Sequence, residues 1–93
     1  MSEPARPRIL VVDDIRANLV AMRRLLSKVD AEVIEVDNGE AALTACLDGE
    51  FALILLDIQM PGMDGFEVAQ LLSGQGDLSE TPIIFVTAKY TEE

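Results

Sequence analysis

The chain contains no histidine. That excludes an imidazole general base and histidine-ligated zinc. A single cysteine, Cys46, excludes an intramolecular disulfide and suits a reducing, cytoplasmic setting. Positive charge is scarce: 7 Lys and Arg stand against 17 Asp and Glu, for a net charge of −10. Nucleic acids and anionic membrane surfaces both need clustered Lys and Arg, so neither is an expected partner. No apolar run approaches the ~20 residues of a membrane span. Residues 1–7 hold two prolines and no apolar core. They are expected to form a flexible lead rather than a secretory signal.

What remains is a short, half-apolar chain. Ninety-three residues make one domain at most, of modest stability. An apolar fraction of 49% is too high for a disordered chain. Most of the acidic residues are ordinary solvated surface.

Along the sequence, short apolar runs alternate with segments of helical spacing. Residues 8–12 (RILVV) form an unbroken β-branched run, as expected of a strand buried on both faces. Over residues 15–29, Ile15, Leu19, Met22, Leu25, Leu26 and Val29 recur at helical spacing, with Asp14 as candidate N-cap. Residues 32–36 (EVIEV) are a second strand; Asn38-Gly39 starts a short helix over 40–47. Residues 51–56 (FALILL) are the strongest strand, followed by a loop over 59–65 and a helix over 66–72 that Asp64 is expected to cap. A polar connection, 73–81, leads to a fourth strand, 82–86 (PIIFV). The order β-α-β-α-β-α-β implies an α/β, doubly wound parallel sheet with helices on both faces. Cys46, Phe51, Phe66 and Phe85 are core candidates, while Met22, Met60 and Met63 are expected in packing or loops.

In such a sheet every strand ends on one edge, where ligands bind. Strand one ends in Asp13-Asp14, strand three in Asp57 and strand four in Thr87. Alone, each is ordinary capping or turn chemistry. Together they place three carboxylates and a hydroxyl on one edge if strands one and three are neighbours. Clustered carboxylates repel unless a cation intervenes. Oxygen-only ligands favour magnesium, calcium or manganese, and few protein ligands leave room for water and phosphate oxygens, as magnesium prefers. A carboxylate in that setting can attack phosphorus and give an acyl phosphate. Thr87 can donate to a phosphoryl oxygen.

Val11 to Asp14 (VVDD), Leu55 to Gly65 (LLDIQMPGMDG) and Pro82 to Ala88 (PIIFVTA) resemble the receiver domain of bacterial response regulators. The likeness runs from residue 8 to the C-terminus and implies a domain over 8–93. It implies a flavodoxin-like sheet of order 2-1-3-4, with Asp57 as phospho-acceptor. Asp13, Asp14, Asp57 and the backbone carbonyl of Gln59 would hold Mg2+, and Thr87 would contact the phosphoryl group. Pro61 and Gly65 would shape the loop into the next helix. A histidine kinase or histidine phosphotransfer protein would be the donor. Such a module is no enzyme beyond catalysing its own phosphorylation and dephosphorylation. The sequence departs from the family in showing no fifth strand, no lysine at its end and no last two helices. Lys89 is read as a solvated loop lysine. An uncovered strand four predicts a homo-oligomer built through that strand. Two other readings compete. One is a receiver-like interaction or dimerisation fragment that relays no phosphate. The other is a haloacid-dehalogenase-type phosphotransferase, which needs a second Asp where this chain has Gln59.

Overall fold

The computed structural model describes residues 6–74 and 80–86. Thr87, Lys89 and most of the lead and of the 73–81 connection lie outside them. The elements run β1 (Arg8–Val12), α1 (Arg16–Leu26), β2 (Glu32–Val36), α2 (Gly39–Asp48), β3 (Leu53–Asp57), α3 (Gly65–Ser73) and β4 (Ile83–Val86). The strands form one parallel sheet of order β2-β1-β3-β4. This is the α/β architecture and strand order that the sequence implied.

Strand alternation divides the core in two. Leu10 and Val12 of β1, and Ile54 and Leu56 of β3, face Ala42 and Cys46 of α2 and Val68 and Leu72 of α3. Ile9, Val11 and Leu55 face the other way, toward Leu19, Met22 and Leu26 of α1. Leu10, Ile54, Leu56 and Leu72 are fully buried. Each such side chain stabilises the fold by roughly 1.5–3 kcal/mol. Cys46 and Phe51 are buried as expected, and burial raises the Cys46 thiol pKa.

Helix starts follow local chemistry. Asn38 caps α2, its side chain accepting from the Ala41 N–H at 2.7 Å. Asp64 caps α3 in a reciprocal box: Asp64 accepts from the Glu67 N–H at 2.9 Å, and Glu67 accepts from the Asp64 N–H at 3.0 Å. Helix α1 differs from expectation. Asp14 does not cap it; Ile15 occupies the N-cap position without a side-chain bond. Asp13 makes the turn instead, its Oδ1 accepting from the Ile15 N–H at 2.9 Å. A bidentate Arg23–Glu35 pair, at 2.9 and 2.7 Å, ties α1 to β2.

Two apolar expectations fail. Leu25 is 70% exposed, and Ile15 and Val29 are about half exposed, so only part of the α1 stripe meets the sheet. Phe66 and Phe85 are not core residues but 56% and 40% exposed, and their rings pack on each other at 4.9 Å. Periodicity reveals which face is apolar, not how much of it is covered.

Candidate functional site

Register brings the acids together. Val12 pairs with Leu56 across β1 and β3, so the next residues, Asp13 just past β1 and Asp57 at the end of β3, come side by side. Both follow the alternation of Val11 and Leu55 onto the α1 side. Each is only 6% exposed, whereas Asp14 is exposed. One carboxylate oxygen from each of Asp13, Asp14 and Asp57 lies within 4.8 Å of the others. Among the described residues, the structure thus gathers the three acids that the sequence singled out.

The loop after β3 is held closed. The Gly65 N–H donates to the Ile58 carbonyl at 2.9 Å, and the Ile58 N–H donates to Val86 at 3.3 Å. A Cβ on Gly65 would overlap the carbonyl oxygen of Asp57, so glycine permits the close return of α3 onto the end of β3. Within the loop, Gly62 adopts a positive φ of 81°. Met60 of the same loop is buried in the core cluster.

Asp57 has a raised pKa. Burial contributes most, and the Asp13 carboxylate adds to it; the backbone N–H of Gln59 opposes, Asp14 adds a smaller push, and the Ile58 N–H opposes. A buried, crowded carboxylate of this kind is what a divalent cation would relieve. Three hard oxygens on an open cleft therefore suit a magnesium-like ion by donor chemistry. The cleft, about 700 Å³, is lined by Asp14, Asp57 and Gln59, with Ile15, Met60, Pro61 and Phe66 as apolar walls.

The sequence profile of the response regulator receiver domain matches residues 9–93. The chain belongs to that family. Receiver domains are signalling modules of two-component systems, and the relatives are sensor proteins and response regulators. The chain is 41% identical over 85 residues to the sensor protein GacS of Pseudomonas syringae pv. syringae, covering 88% of this chain and 9% of GacS. It therefore spans a small part of that relative's length. Among solved structures, the chemotaxis protein CheY4 of Vibrio cholerae superposes with a TM-score of 0.85 at 29% identity, covering 94% of this chain and 72% of CheY4. The response regulator TrrA of Thermotoga maritima, solved in complex with Mg2+–BeF, gives a TM-score of 0.78 at 36% identity, with 89% and 70% covered.

One polar residue of the receiver cleft escaped the sequence reading. Asn18 lines it and donates from Nδ2 to Asp13 Oδ1 at 3.3 Å. The bond spans five residues and crosses the turn before α1, so no helical spacing signalled it. Ile15 and Phe66, read as stripe and core, instead border the cleft. Gln59 also lines it.

Proposed function

We propose that this receiver domain, read as residues 8–93, accepts a phosphoryl group on Asp57. The observation that carries this reading is the meeting of Asp13, Asp14 and Asp57 at the ends of adjacent strands. One Asp57 carboxylate oxygen attacks the phosphorus of a phosphorylated imidazole. A P–O bond forms, the P–N bond breaks, and the imidazole leaves with the electron pair and takes up a proton. The product is an acyl phosphate. Asp13, Asp14, Asp57 and the Gln59 carbonyl would hold Mg2+, which supplies positive charge against the transferring group. The TrrA complex with Mg2+–BeF supports that assignment by likeness. Thr87, in our reading, donates to a phosphoryl oxygen. The donor is a histidine kinase or histidine phosphotransfer protein, and the setting is cytoplasmic. Among the described residues no helix is long and apolar enough to cross a membrane. Gln59 offers no acid–base group where a haloacid-dehalogenase-type enzyme needs one.

The test is acetyl phosphate with magnesium. One phosphoryl group is expected at Asp57 by intact mass and peptide mapping, and none in Asp57→Asn. Magnesium is expected to bind in the millimolar range, weakly or not at all in Asp14→Ala. Label on another residue of the wild-type chain would overturn the acceptor assignment. An interaction fragment would instead bind partners without accepting phosphate. Self-association is also part of the proposal. β4 is the sheet's edge among the described residues, and Ile84 and Phe85 on it are exposed. Light scattering is expected to show an oligomer that Phe85→Lys dissociates; a monomer at all concentrations would refute it.

A further inference from the structure

Asp13 is buried at the cleft, and the orientation of its carboxylate is set by two donors that converge on one oxygen. The Ile15 N–H reaches Oδ1 at 2.9 Å, and Nδ2 of Asn18 reaches the same Oδ1 at 3.3 Å. Among the described residues, both side-chain bonds that Asp13 accepts thus fall on Oδ1. Two donors on one oxygen restrain the carboxylate's rotation, and one Asp13 carboxylate oxygen lies within 4.8 Å of one oxygen each from Asp14 and Asp57. Asn18 is half-buried on the first turn of α1, with its backbone N–H bonded to the Ile15 carbonyl at 3.0 Å, so its side chain projects from a fixed base. It also lines the cleft that contains Asp14 and Asp57.

We infer that Asn18 is a positioning residue for the divalent cation, acting through Asp13. The inference rests on the proposed metal site and names a part of it. The chemistry of an amide suits the task. Lysine or arginine at this point would donate equally well but would cancel negative charge that the cation needs. Asparagine orients the ligand and leaves the site's charge unchanged. Outer partners of this kind govern metal affinity because a ligand left free to rotate must be ordered when the ion binds.

The test is magnesium titration of the metal-free protein by NMR, with Asn18→Leu as a near-isosteric side chain that cannot donate and Asn18→Gln as one that can. Asn18→Leu is expected to weaken magnesium binding on the order of ten-fold, with substantial recovery in Asn18→Gln. Thermal melts in EDTA provide the comparison that a purely structural residue would move. If Asn18→Leu lowers the melting temperature yet binds magnesium as the wild type does, the inference is wrong. The wild-type chain gives a second measurement that needs no variant. The Asn18 side-chain amide resonances are expected to shift with the same midpoint as the backbone of Asp13 and Asp57. Resonances that stay fixed through saturation would overturn the inference. Wild-type protein that bound no magnesium would defeat the metal site itself as well, whereas equal binding by wild type and Asn18→Leu would defeat only the role of Asn18.

Discussion

Replacing Asp57 by Asn is expected to make the metal-free protein more stable. The three carboxylate oxygens lie within 4.8 Å of one another. At an effective dielectric constant of about 20, two unit charges at that distance repel by roughly 3.5 kcal/mol. Removing the charge of Asp57 deletes two of the three pairs. Asp14 is exposed, so water and salt weaken its share. A net stabilisation of about 1–3 kcal/mol is the reasonable discount from the bare Coulomb figure. In a domain of this size that raises the melting temperature by roughly 4 °C or more. The pH dependence has a definite sign. The pKa of Asp57 is raised in the folded state, so the native protein binds its proton more tightly than the unfolded chain does. Stability from this group is present at low pH and is lost as pH rises from about 4 through the raised value. The gap between variant and wild type should therefore be small in acid and open as pH rises across that window. Circular dichroism melts in EDTA at a series of pH values would measure it. With magnesium at ten times its dissociation constant, the wild type gains about 1.4 kcal/mol and the gap narrows. A variant that melted at or below the wild type in EDTA at neutral pH would refute the electrostatic reasoning.

Three further outcomes follow from the structure. Gly65→Ala is expected to cost about 2–3 kcal/mol, read by chemical denaturation, because its Cβ would meet the Asp57 carbonyl oxygen in the backbone of β3. Asp64→Ala is expected to lose about 1 kcal/mol, since it removes the side chain that accepts from the Glu67 N–H. Cys46 is buried with a raised thiol pKa, so its reaction with a thiol reagent should be slow in the native protein and fast in denaturant.

β2 (EVIEV) carries two glutamates and was legible from its β-branched residues and the Asn38-Gly39 break that follows, whereas β1, β3 and β4 were legible as short apolar runs. The acids were legible for the same reason: Asp13 and Asp57 each interrupt such a run at its end. Asn38 and Asp64 were legible as helix starters because a cap bonds to backbone only three residues away. Other features depend on tertiary geometry. That Asp13 rather than Asp14 makes the turn into α1 is decided by which carboxylate faces the Ile15 N–H. The exposure of Leu25, Phe66 and Phe85 depends on what packs against their faces, which no periodicity records. Asn18 belongs to the same class, because its reach to Asp13 is set by the path of the intervening loop.

The two edges of the sheet differ in how they treat a change of chain length. Asp13 and Asp57 face the α1 side only because each follows its strand at a fixed count of residues. One residue added inside β1 or β3 would turn the acid to the opposite face. At the other edge, α2 ends at Asp48 and the chain returns to β3 at Leu53 through a short connection in which Glu50 is exposed. Four residue steps at about 3.3 Å each separate Leu53 from Asp57, so that connection lies roughly 13 Å from the acceptor. A fluorophore attachment site or a spliced peptide tag at residues 48–50 would report on the protein from a place where added length leaves the acids in step.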